Sequence, residues 1–193
     1  MRAPGERGVL RHMRVFLAGI IQGSHQGRDL HDQSYRERLK QILRAYLPET
    51  DLCCPIELHP AAIDYAPDAQ RRAFFGLVDN ASQADVLVAY LPQASMGTAI
   101  EMWEAYHRGR VVVAITPMRE NWVINLLTHA VLPSLDAFEE FVRDGRLAAL
   151  VENLTPPPPS LVGKGAPATP ALLPPSPAGG DAEYCERRRG WGG

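Results

Sequence analysis

Asp85-Val86-Leu87-Val88-Ala89-Tyr90 runs directly into Leu91-Pro92-Gln93-Ala94-Ser95-Met96-Gly97-Thr98. A short apolar run closed by turn residues is the pattern of a strand buried on both faces, as in a parallel sheet. The spacing predicts a helix over Gly97–Arg108, and Val111–Ile115 (VVVAI) is a further buried strand. The same alternation extends upstream. Arg14–Gly19 (RVFLAG) reads as a strand. Ser34–Leu47 reads as a helix, with Leu39, Ile42, Leu43 and Tyr46 at helical spacing and Ser34-x-x-Glu37 as a capping box. Asp51–Ile56 is a short strand stopped by Pro55 and Pro60, Asp68–Gln83 is a helix, and Ser134–Leu150 closes the pattern as one amphipathic helix. Strands separated by helices imply a parallel sheet with right-handed crossovers. The expected architecture is α/β, a Rossmann-like three-layer sandwich with a four- or five-stranded parallel sheet. The apolar stretch Trp122–Leu132 is either core or a surface between subunits.

The 193 residues, 46% hydrophobic and 22% charged, are enough for one domain with some unpacked length. Nine of the 17 prolines fall after Asn153, four of them at Pro156–Pro159, so residues 154–193 read as a Pro-rich disordered tail. Residues 1–12 read as a disordered leader, lacking the apolar core of a secretory signal. The globular domain is expected over 13–153. A formal charge of −2 supplies no field to attract a nucleic acid polymer or an anionic membrane. No apolar run approaches the roughly 20 residues of a membrane span. Cys53, Cys54 and Cys185 form neither a disulfide framework nor a zinc site, which fits a cytoplasmic protein.

Ligands of open parallel sheets collect beyond the carboxyl ends of the strands. That rule selects the loop Gly19–Ser24, the segment Glu57-Leu58-His59 and the loop Leu91–Gly97. The first loop carries Gly19 and Gly23 but neither a dinucleotide fingerprint nor a Walker motif. The third leads into a helix N-terminus, where free N–H groups and the hydroxyls of Ser95 and Thr98 suit an anion. Glu101 lies one turn further on, flanked by Ile100, Met102 and Trp103. Two roles are open to it: the second member of a Thr98-x-x-Glu101 capping box, or a partly desolvated chemical group. The polar run His25, Asp29, His31, Asp32 has irregular spacing and reads as solvated loop rather than a metal site. Gln93-x-Ser95-x-Gly97 has the placing of a nucleophile elbow, with His129 or His107 as its base, which leaves a serine hydrolase as a rival.

Val15-Phe16-Leu17-Ala18-Gly19, Ala84–Ala89 and Ala94-Ser95-Met96-Gly97-Thr98-Ala99-Ile100-Glu101 together resemble the nucleoside 2-deoxyribosyltransferase superfamily over residues 14–150. The resemblance implies a Rossmann-like fold and cleavage of an N-glycosidic bond, with Glu101 at the position of the glutamate nucleophile. Ser95, six residues before it, is similar to the phosphate-holding serine of the branch that hydrolyses nucleoside 5'-monophosphates, the cytidylate-type hydrolases. Gly19, Gln22, Gly23, Ser24, Tyr35, His59, Asp79, Ser95 and Gly97 are then the expected substrate-binding residues. The resemblance further implies a homodimer or larger assembly in which a neighbour completes each pocket, and a reaction needing no metal or organic cofactor. Two departures stand out: Leu77 occupies the position of a sugar-handling aspartate, with only Asp79 nearby, and Gln22 stands where an arginine is usual. Asp85 is expected to be structural. A transferase moving the sugar between bases and a non-catalytic nucleotide-binding module are the alternatives.

Overall fold

The structure, a computed structural model, describes residues 12 to 154 apart from Ser24. The expected leader and Pro-rich tail therefore lie outside the described residues, save for His12 and Leu154. Among the described residues five strands form one parallel sheet: β1 (Met13–Gly19), β2 (Thr50–Cys53), β3 (Val86–Tyr90), β4 (Val111–Ile115) and β5 (Ala130–Leu132), in the order β2-β1-β3-β4-β5. The order reverses between β1 and β3. Such a switch opens a crevice at the carboxyl ends of those two strands.

Among the described residues, seven α-helices cover the sheet: α1 (Tyr35–Tyr46), α2 (Pro55–Leu58), α3 (Pro67–Gln83), α4 (Met96–His107), α5 (Trp122–Leu127), α6 (Leu135–Arg143) and α7 (Arg146–Leu154). Alternation within each strand sends successive side chains to opposite faces. Val15, Leu17, Val86, Val88, Val111, Val113 and Ile115 pack against α1, α6 and α7, around Leu39, Leu43, Phe138 and Leu147. Phe16, Ala18, Leu87, Ala89, Val112 and Ala114 pack against α3, α4 and α5. On this second face Ala18, Ala89 and Ala114 stand side by side in the ladder. Their short side chains allow α4 to lie close to the carboxyl end of the sheet.

The structure corrects three local expectations. The second strand ends at Cys53, because Pro55 takes the first position of the short helix α2, where its missing N–H costs nothing. The closing helix is two helices, broken at Asp144-Gly145, where Gly145 adopts φ +73°. Ser34 does not cap α1: its hydroxyl is bonded to Asp32, while Glu37 pairs with Lys40 at 2.7 Å. The Trp122–Leu132 stretch is a helix and the fifth strand, with Ile124 and Leu127 buried and Trp122 and Leu126 exposed. Asp85 does act structurally. Its carboxylate accepts the Arg14 N–H at 2.9 Å, at the amino end of the sheet.

Candidate active site

β3 ends at Tyr90, and the chain turns through Pro92 into α4 with Ser95 as the N-cap. Ser95 Oγ accepts the Thr98 N–H at 3.4 Å and the Thr98 hydroxyl at 3.0 Å, which leaves its own proton free to be donated. The cap is thus Ser95 and not Thr98. Thr98 sits at the third helical position, and Glu101 lies wholly within the helix, three residues past where a capping glutamate would act. The capping reading of Glu101 fails on this geometry.

Glu101 is instead 7% exposed and takes no hydrogen bond from any described residue. Burial pushes its carboxyl up to about 8, while the Arg36 guanidinium pulls the other way. It faces a cleft of about 370 Å³ at the carboxyl end of the sheet. One wall is the first loop, with Gly19, Ile21, Gln22, Gly23 and Leu30; the opposite wall is Ala62, Ile63 and the α3 residues Gln70, Ala73, Phe74 and Leu77. Ser95, Met96, Gly97 and Thr98 form the floor beside Glu101. Arg28 ties the two walls together, donating to Ile63 O at 2.8 Å and to Asp64 at 2.6 Å. Glu101 is the one ionisable side chain among the described lining residues.

Two glycines are required by their surroundings. A Cβ on Gly19 would stand 2.4 Å from the Tyr35 hydroxyl, and Gly23, at φ +57°, has Ile20 Cδ1 and His31 Nε2 within 2.7 Å of that place. At Gly97 a Cβ would meet Phe74 alone, at 3.9 Å.

Of the residues expected from sequence, Glu101, Ser95, Gly97, Gly19, Gln22 and Gly23 meet in this cleft, and Ser24 falls outside the described residues. Three do not line it. Tyr35 is buried behind Gly19, donating to Ile20 O at 3.2 Å and stacked on Tyr90. His59 packs edge-on against Tyr65. Asp79 is exposed on α3, where its carboxylate accepts from Gln83. Leu77, by contrast, lines the cleft. The apolar α3 wall and Gln70 were not anticipated; the α3 helical period shows which residues face inward but not that a cavity lies beneath them. Arg36 was missed too, and no sequence signal marks a buried arginine.

Among the described residues no histidine lines the cleft, so none stands there as the base a serine hydrolase needs. His129 Nδ1 accepts the Val112 N–H at 3.0 Å, and His107 ends α4, about 16 Å along the helix axis from its start. No group of His, Cys, Asp or Glu suited to a metal occurs among the described residues, Cys53 and Cys54 are free thiols, and no described helix is long and apolar enough to cross a membrane.

No protein-family model matches the chain, and none of the curated proteins does. Solved structures do match. A 2-deoxyribosyltransferase from the psychrotolerant bacterium Bacillus psychrosaccharolyticus superposes with a TM-score of 0.50 at 19% identity, over 65% of this chain and 90% of its own. A conserved protein from Enterococcus faecalis V583 gives 0.50 at 22% identity, over 68% and 98%. A CMP N-glycosidase from Clostridium botulinum gives 0.39 at 17%, over 66% and 95%. The chain has the fold of a 2-deoxyribosyltransferase, an α/β sandwich on a five-stranded parallel sheet.

Proposed function

We propose that this protein, on its deoxyribosyltransferase fold, cleaves the N-glycosidic bond of a nucleoside 5'-monophosphate with Glu101 as the nucleophile. The observation that carries the reading is a buried carboxyl without a hydrogen-bond partner, open to a cleft at the switch point of the sheet. A Glu101 oxygen would bond to the anomeric carbon as the carbon–nitrogen bond breaks. The base leaves with the electron pair and takes a proton from solvent. Water then attacks the same carbon, releasing the sugar phosphate and freeing the carboxylate. A second base entering in place of water would make the reaction a transfer.

The free Ser95 proton and the unpaired N–H groups that begin α4 support a phosphate at this end of the cleft. One observation favours a second reading, cleavage of the free nucleoside: no Lys or Arg lines the cleft among the described residues. A homodimer is part of the proposal, supported by a row of exposed apolar side chains on α4, with Met96 82% and Trp103 54% exposed and Ile100 between them. Light scattering at the mass of a single 21.3 kDa chain would overturn that part.

The test is chromatography of free base released from matched nucleosides and monophosphates, with Glu101→Gln alongside. The expected result is release from the monophosphate by the wild type and none by the variant. A fully active Glu101→Gln protein overturns the mechanism. Equal cleavage of nucleoside and monophosphate replaces the first reading with the second.

A further inference from the structure

The rim of the Glu101 cleft carries two hydrogen-bond acceptors that no described residue supplies with a donor. Helix α3 faces the cleft with Gln70, Ala73, Phe74 and Leu77, the i, i+3, i+4 and i+7 positions of one helix stripe. Leu77, 9% exposed, belongs to the core, whereas Gln70, about 10 Å nearer the start of the helix, is exposed. The wall therefore runs from an apolar depth to a polar rim. At that rim the Gln70 amide is held by its nitrogen, which donates to Ala62 O and to Ile63 O, each at 3.3 Å. Ile63 O is itself fixed by the Arg28 guanidinium at 2.8 Å. Gln22, on the opposite wall, is held in the same way, its amide nitrogen donating to Gly27 O at 3.3 Å. In both amides the nitrogen is occupied, and Oε1 takes no hydrogen bond from a described residue. Turning either amide over would lose its bond and set its oxygen against a carbonyl oxygen, so both oxygens stay as acceptors.

We propose that Gln70, with Gln22 across the cleft from it, selects the base, and that the base selected bears an exocyclic amine rather than an oxo group at its outer edge. The inference rests on the reading of this cleft as a nucleoside or nucleotide site, and it deepens that reading.

Glu101 and Ser95 lie at the floor, which puts the sugar and a phosphate there. The base then extends along Phe74 toward the rim, with the edge farthest from the glycosidic bond at the two glutamines. In adenine and cytosine that edge carries an amino group, whose two protons can serve two acceptors. In hypoxanthine and uracil the same position carries a carbonyl oxygen, itself an acceptor, and the ring N–H beside it is a single donor. An amino base can therefore satisfy both Oε1 atoms. An oxo base leaves at least one of them without a donor and displaces the water that had bonded it.

The experiment compares the adenine/hypoxanthine and cytosine/uracil pairs, each as the 5'-monophosphate and as the free nucleoside. It reads kcat/KM for base release by the full chain, and Kd by calorimetry on Glu101→Gln. In each pair that binds, the amino member should be favoured by about 10-fold, since amides at an exposed rim discriminate less than enclosed ones. Gln70→Met removes the acceptor and should bring the two members within about twofold of each other. Gln70→Glu separates selection from packing: its carboxylate only accepts, so the amino preference should hold or rise. Gln22→Met should lower the preference in the same direction, and it carries the test if Gln70→Met fails to melt cooperatively. Equal treatment of the two members by the wild type overturns the proposal, and so does an oxo preference. A folded Gln70→Met protein that keeps the wild-type ratio also overturns it. Selective binding of the amino members without release of base supports this inference and overturns the reading of the reaction. Base release without selectivity does the reverse, and failure of every compound to bind overturns both.

Discussion

The two faces of the sheet begin their helices in the same way and put them to different ends. α6, over the aliphatic face, starts at Ser134, whose hydroxyl accepts the Ala137 N–H at 3.2 Å; α4, over the alanine-rich face, starts at Ser95 with the matching bond to Thr98. Both N-termini lie at the carboxyl end of the sheet. α6 then carries Asp136 in its first turn, an acid that offsets the positive end of the helix, whereas α4 has no acid there. Beneath α6 lie valines, leucines and Ile115, onto which its own Phe138 and Phe141 pack; beneath α4 lie Ala18, Ala89 and Ala114. Both helix starts border open space, but the groove at α6 holds the exposed Asp136 whereas the cleft at α4 holds one buried carboxyl, Glu101. A serine-capped helix at the sheet's functional end is therefore not itself a site; the buried carboxyl and the unopposed positive helix end beside it make one.

The sharpest way to test this contrast is Glu101→Gln. Turnover should fall by about 10³-fold or more, as expected on deleting a nucleophile. With its carboxyl pushed up to about 8, wild-type activity should rise with pH through that value, since only the ionised form attacks. Stability should run the opposite way. The folded state binds a proton that the unfolded chain, with the ordinary value of 4.5, releases, so the contribution of this group is full below 4.5 and lost as pH rises through about 8. Glu101→Gln should therefore match wild type in thermal melts at pH 5 and exceed it at pH 9, by on the order of 1–4 kcal/mol. An activity profile flat from pH 6 to 9 would refute the assignment.

Phe138→Ala probes the other face. Phe138 is fully buried among Leu39, Leu43 and Leu147, and its loss should cost about 3–5 kcal/mol of stability. Turnover per folded molecule should stay within about twofold, because no residue of that cluster except Tyr35 approaches the cleft wall. Chemical denaturation followed by an activity assay at low denaturant separates the two quantities. A large kinetic effect with a small change in stability would mean that the faces are coupled.

What could be read from sequence divides along similar physical lines. VVVAI at 111–115 declares a doubly buried strand because apolar residues in an unbroken run have no other soluble place. Glu101 was legible by its position after the third strand, but its isolation was not, since Thr98-x-x-Glu101 fits a cap equally well until the helix start is known to be Met96. The two-helix ending was hidden because one apolar stripe runs through Ser134–Leu150, and only the positive φ of Gly145 breaks it. Arg36 was invisible for the plainest reason: an arginine on an amphipathic helix is assigned to solvent by default. Its burial comes from tertiary contacts with the carbonyls of Leu17 and Gly19, which no local pattern encodes.

Ser95→Ala should have the next largest effect. The hydroxyl retains a proton to donate, and charge-assisted bonds contribute about 1.5–3 kcal/mol, so kcat/KM for a monophosphate should drop by roughly 10- to 150-fold. The matching free nucleoside, with no charge at that end, should hardly respond. Equal losses on both substrates would show that the cap acts on the shape of the loop and not on a phosphate.

Ser134→Ala is the control for that experiment and carries the smallest expected effect. The bond lost is the same one, a serine oxygen accepting the N–H three residues on, and it lies at the surface. Removing an N-cap of this kind costs about 1 kcal/mol. Ser95→Ala carries a similar structural cost, so the two variants should melt at similar temperatures. Their kinetics should diverge. Ser134 borders a different groove, formed with Thr116, Pro117, Leu135 and Asp136, and an anion approaching it meets the Asp136 carboxylate within the same turn. Ser134→Ala should therefore leave kcat/KM unchanged for nucleoside and monophosphate alike. Removing the acid is the sharper variant: Asp136→Asn restores an unopposed positive helix end at α6, yet should still produce no activity there, because no buried carboxyl stands one turn further on. If Ser134→Ala lowered turnover on the monophosphate as far as Ser95→Ala does, the distinction between the two helix ends would be void, and the phosphate would have to be sought along the groove beside α6.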